Sequence, residues 1–135
     1  MSATENATLT HSDAAQRLAQ LWQRIRTAET SAGRASGSVQ LLAVSKTFPV
    51  EAVDAVAACG QKAFGENYAQ EGVDKASARP ALEWHFIGPI QSNKTRGIAE
   101  HFSWVHSIDR LKIAERLSAQ RPSNMPPLQV CVQVN

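Results

Sequence analysis

Five short apolar runs return at near-constant intervals, and this rhythm restricts the possible folds more than any other feature of the chain. The runs begin at Leu41, Ala63, Trp84, Trp104 and Leu128, so successive starts lie 22, 21, 20 and 24 residues apart. Helical patterning fills the intervals. Pro49 opens one helix, with Val50, Val53 and Val56 on one side and Gly60 at its end. Tyr68 to Ala78 reads as a second, weakened by Gly72. Ser92 is placed to cap a third, with Ile98, Ala99 and Phe102 as its buried stripe, and Asp109 a fourth, through Ile113, Ala114 and Leu117. A further helix precedes the first run from Ser12, with Leu18, Leu21, Trp22 and Ile25 on one face and Gly33 as its stop. Strands alternating with helices at this spacing predict β/α units, a parallel sheet and right-handed connections.

Two architectures accommodate five parallel strands: an open flavodoxin-like sheet, or a TIM-type (β/α) barrel truncated after about five strands. A whole barrel needs about 250 residues, and this chain has 135. Its last run, LQVCVQVN, stops at Asn135 with no covering helix, although a strand buried on both faces wants one. The truncated barrel is therefore the favoured expectation. Residues 1–11 are polar and small and read as a disordered N-terminus, leaving 12–135 as the N-terminal portion of the barrel.

Several functions lose support at this stage. Net charge is only +2, which offers nucleic acid or an anionic membrane little attraction. No apolar run approaches the ~18 residues of a membrane span, and the N-terminus has no secretory pattern, so a cytoplasmic protein is expected. Cys59 and Cys131 stand far apart, as reduced structural thiols would. His11, His85, His101 and His106 have no metal-ligand spacing, and the glycine-rich phosphate loops and the GxSxG elbow are absent.

In parallel β/α folds the chemistry collects at the C-terminal ends of the strands. Those ends carry Lys46, Glu66, Asn67, the HFIGP segment from His85, then His106, Ser107 and Asp109, and finally Asn135. Lys46 follows LLAVS. Alternation gives it the same side as Val44 and Leu42, pointing into a barrel, where apolar neighbours would favour a neutral, nucleophilic amine able to form an imine with an aldehyde. The plainer alternative is a lysine that snorkels into water. Ser92, Asn93 and Lys94 suit either an anion or an ordinary helix start. His85 suits either the rim or a satisfied core histidine.

Four blocks, LLAVSKTFP at 41–49, FGENYAQEGVDK at 64–75, EWHFIGPIQSNKTR at 83–96 and VHSIDR at 105–110, together with the closing VQVN, resemble the pyridoxal phosphate homeostasis protein family. That family is related to the alanine racemase N-terminal barrel. The resemblance implies pyridoxal 5′-phosphate as cofactor, held as a Schiff base on the lysine of the AVSK block, here Lys46. Asn67 and His85 become possible rim contacts. It also implies a binding role in cofactor homeostasis without turnover, with pyridoxal-phosphate-dependent apoenzymes as candidate partners. The alternative is a racemase-like enzyme, which needs a second acid/base opposite the cofactor; Tyr68 is the one tyrosine in the chain. The sequence departs from the family in having Phe48 where many members carry a second lysine. It also lacks strands 6 to 8, where the family binds the cofactor phosphate.

Overall fold

The computed structural model describes residues 11–135. All but one of the residues expected to be a disordered N-terminus lie outside that range; His11 opens the first helix. The elements are α1 (His11–Ser31), β1 (Ala43–Val44), α2 (Val50–Ala57), β2 (Ala63–Glu66), α3 (Ala69–Ala78), β3 (Glu83–Phe86), a 3₁₀ turn (Ser92–Lys94), α4 (Thr95–His101), β4 (Trp104–Ile108), α5 (Leu111–Gln120) and β5 (Gln129–Val132). They form two compact units. One contains the chain up to Ala43 together with Phe48–Gln61, the other Val44–Thr47 together with Lys62–Asn135.

In the first unit α1 packs against α2. Ala14 and Leu18 of α1 and Ala52 and Val53 of α2 are buried. The expected stripe on α1 is only partly covered: Leu21 is 42% exposed, while Trp22 and Ile25 are half-buried. Buried Glu29 does what no apolar residue could. Its carboxylate accepts hydrogen bonds from the Val39 N–H at 2.9 Å, the Gly37 N–H at 3.1 Å and Arg26 at 2.9 Å, tying the following loop to the helix. The bond from Val39 is the chief cause of a pKa below the ordinary carboxylate value.

The sheet runs β1-β2-β3-β4-β5, and the pairs from β2 to β5 are parallel. Strictly sequential order decides between the two architectures, because a flavodoxin-like sheet would run 2-1-3-4-5. Period-2 alternation then sorts the residues of the second unit. Phe64, Glu66, Trp84, Phe86, Val105 and Ser107 are buried on one face. There they meet the helical layer, in which Ile98, Ala99, Phe102, Ile113 and Leu117 are also buried. Gly72 is explained by this packing: a Cβ on it would lie 2.8 Å from the Phe102 ring, closer than atoms tolerate. The expected stripe of α4 is therefore the observed one, and that of α5 is observed at Ile113 and Leu117, with Ala114 half-buried. All of β5 is exposed, with Val130 at 49% and Val132 at 72%.

Two caps differ from expectation. The N-cap of α5 is Arg110, with no side-chain capping bond, and Asp109 instead pairs with the Arg110 guanidinium at 3.1 Å. Ser92 lies inside the 3₁₀ turn, and α4 starts three residues later with Lys94 as its N-cap. Arg116 donates to the Ser92 carbonyl at 2.8 Å and to Thr95 Oγ1 at 3.2 Å, so a cation from α5 organises this turn in place of a serine cap.

Candidate functional site

The segment Ser45–Lys46–Thr47 leaves β1 at the C-terminal end of the sheet. Alternation holds there: Ser45 turns into the protein and is 6% exposed, while Lys46 points the other way and is exposed. The apolar surround expected for Lys46 is not formed by the described residues. Val44, on the same side, is itself 49% exposed, and Leu42 is half-buried. Thr47 has φ 68°, a left-handed conformation that costs a branched, non-glycine residue steric strain.

A buried polar knot holds this segment. The Ser45 N–H donates to the Gly65 carbonyl of β2 at 2.9 Å, and its hydroxyl donates to Glu66 Oε2. Lys75 reaches out of α3 to donate from Nζ to the Ser45 carbonyl at 2.7 Å and to Glu66 Oε2 at 3.0 Å. Glu71, one turn earlier on α3, lies 3.4 Å from the same ammonium and accepts the Thr47 N–H at 3.0 and 3.2 Å. Glu66 is fully buried, and desolvation raises its carboxyl above the ordinary carboxylate range despite the bonds from Ser45 and Lys75. Its Oε1 has no hydrogen-bond partner among the described residues.

Asn67 follows Glu66 at the end of β2. Its Oδ1 is buried with no hydrogen-bond partner among the described residues, while the residue as a whole is half-buried. Gly88, just past β3, lies against it so closely that a Cβ would sit 2.3 Å from the Asn67 carbonyl oxygen; only glycine fits there. The Gly88 carbonyl in turn accepts a bond from the buried Ser107 hydroxyl of β4. The ends of β2, β3 and β4 are thus fastened together.

On the sheet face opposite the helices lies a second polar group. His85 Nε2 is 2.8 Å from Glu83 Oε1, and His85 Nδ1 is 2.9 Å from His106 Nε2. The His85 ring stacks on Trp104, with centroids 5.5 Å apart and planes within 5°. Both ring nitrogens of His85 have partners, which fits the satisfied histidine better than a free rim ligand. Burial, and then the neighbouring His85, keep His106 below its ordinary pKa. Among the described residues, no three His, Cys, Asp or Glu side chains converge as metal ligands, and no helix is long and apolar enough to cross a membrane. Among the described residues, neither Cys59 nor Cys131 takes part in a disulfide.

Glu66 was visible in the sequence as a strand-end residue, but Lys75 was not singled out. The clue was its place on α3. Gly72, Lys75 and Ala76 share the buried side, which puts a lysine where packing demands a partner.

Sequential parallel strands with polar residues gathered at their C-terminal ends define a β/α domain of the barrel type. Residues 16–135 match the family described as the alanine racemase, N-terminal domain. The chain belongs to that family. A protein of Vibrio cholerae called pyridoxal phosphate homeostasis protein is 63% identical over 126 residues, which cover 89% of this chain and 53% of the relative. One of the same name from Escherichia coli is 53% identical over 128 residues, 91% of this chain and 55% of the relative. The chain therefore spans about half the length of the curated relatives it matches. Among solved structures, PipY of Synechococcus elongatus with PLP bound aligns at TM-score 0.65 with 42% identity, over 79% of this chain and 47% of PipY. An unknown protein from Bifidobacterium adolescentis aligns at TM-score 0.75 with 29% identity, over 82% of this chain and 50% of that one.

Proposed function

We propose that this chain supplies the lysine-bearing part of a protein that binds pyridoxal 5′-phosphate and serves its homeostasis, with Lys46 as the point of covalent attachment. The observation that carries the reading is an exposed primary amine at a strand end whose backbone is fixed on both sides, at Ser45 and at Thr47. The names of the curated relatives and the PLP-bound PipY structure support the same cofactor. When bound, the cofactor supplies an aldehyde carbon that condenses with a neutral primary amine, with release of water.

The residues present suit that group. Lys46 brings the amine. The unpartnered Asn67 Oδ1 offers an acceptor at the neighbouring strand end. His85, half-buried with both ring nitrogens engaged, would contribute its ring and not a free nitrogen. The role is binding, not turnover. Tyr68, the one tyrosine in the chain and the residue a second acid/base would call on, is 55% exposed at the N-cap of α3. The protein would be cytoplasmic and would pass cofactor to apoenzymes that require it.

The test is to mix the chain with pyridoxal 5′-phosphate, reduce with borohydride and map the adduct by peptide mass spectrometry, with Lys46→Ala alongside. A dominant adduct on Lys46, absent from the variant, is expected. Even labelling across the surface lysines, unchanged in the variant, would sink the assignment.

A further inference from the structure

Among the described residues, Lys46 makes no hydrogen bond or ion pair through its side chain that accounts for its placement, so the backbone has to set it. The residue before it is held through its carbonyl by the Lys75 ammonium at 2.7 Å. The residue after it is held through its N–H by both oxygens of the Glu71 carboxylate at 3.0 and 3.2 Å. The two clamps are one device. Lys75 and Glu71 are successive on one face of α3, 3.4 Å apart, and Lys75 is anchored below by fully buried Glu66 at 3.0 Å. What the device holds is costly to hold: Thr47 sits at φ 68°, where a threonine left to itself would relax to the extended or helical region and swing the preceding side chain with it.

We propose that Glu71 and Lys75 are positioning residues for Lys46, clamping the backbone on either side so that its amine projects from the sheet end in one orientation. The inference rests on the cofactor reading of Lys46 and adds to it the residues that present the amine. Neither Glu71 nor Lys75 is required to touch the cofactor.

Glu71 is the better handle, since its side chain is 30% exposed and its removal leaves the buried Glu66–Lys75 pair in place. The experiment compares the full chain with Glu71→Ala and Glu71→Gln. It reads the initial rate of borohydride-trapped pyridoxal 5′-phosphate at Lys46 relative to exposed Lys112, and the hydrogen-exchange rate of the Thr47 amide. In Glu71→Ala, Thr47 exchange should rise and the Lys46-to-Lys112 ratio should fall, each by about tenfold, because loss of orientation slows attack steeply. Glu71→Gln keeps an acceptor for the Thr47 N–H and should restore most of both. A preference for Lys46 that survives intact in Glu71→Ala overturns the positioning inference alone, as does a Thr47 amide whose exchange is unmoved. Equal labelling of Lys46 and Lys112 in the unaltered chain overturns the cofactor reading and the positioning inference with it.

Discussion

The sheet carries a polar group on each face, and the two are built on opposite principles. On the helix side, Ser45, Glu66 and Lys75 are all nearly inaccessible and are joined by directed bonds. On the other side, Glu83, His85 and His106 form a chain of comparable bond lengths that is only partly covered, with 47% of the Glu83 side chain exposed. Burial decides the difference. A charge taken from water must find a partner, so one weak link in the closed knot exposes the others to the full desolvation cost. In the open chain water replaces any bond that breaks. The closed knot therefore fixes geometry, and the open chain responds to pH.

The strongest challenge to this contrast is Lys75→Met. It removes the ammonium and leaves Glu66 buried beside an apolar side chain, which should cost about 3–5 kcal/mol of stability in denaturant unfolding. A loss under 1 kcal/mol would mean that the knot is wetter than its accessibility implies. Ser45→Ala is milder. It deletes the hydroxyl bond to Glu66 while leaving the ion pair, with an expected loss of about 1.5–3 kcal/mol, typical of bonds to charged groups.

On the open face, His106→Gln should change stability at neutral pH by less than about 1 kcal/mol. Its signature is in the pH profile. The folded pKa of His106 is depressed, so the unfolded chain takes up the proton first. The stability tied to His106 is full above the ordinary value of 6.5 and is lost as pH falls below it. Unfolding titrations between pH 7.5 and 5 should show that slope flattened in the variant. An unaltered slope would mean that His106 does not carry the response. Smallest of all is Thr47→Gly. Relief of the left-handed strain and the added freedom of the unfolded chain oppose each other, so midpoints should agree within about 0.5 kcal/mol.

The contrast also explains what could be read from the residues alone. Strand and helix spacing was legible because apolar periodicity is local, and Ile98, Phe102, Ile113 and Leu117 are buried as that periodicity predicts. Lys46 stood out because a lysine interrupts an apolar run, and its alternation with buried Ser45 followed. Its surroundings did not, because they depend on which faces acquire a second layer. Helix starts at Ser92 and Asp109 were misplaced by capping preferences that arginines override: Arg116 reaches the 3₁₀ turn from 24 positions away. The Glu66–Lys75 pair and its tie to Ser45 were hidden for the same reason. No local pattern announces that a lysine will meet a carbonyl thirty residues upstream.

That thirty-residue reach gives the site a place in time. The segment around Lys46 leaves the ribosome before α3, but its conformation cannot be set until α3 has been made and has docked with Lys75 inward. Until then the lysine is an ordinary flexible amine on a nascent chain, no more attractive to a passing aldehyde than any other. If Lys46 is the attachment point proposed above, its selectivity is acquired late, as a property of the folded domain, and any lesion that delays the docking of α3 should leave a period in which the chain is made but its lysine is not yet distinctive.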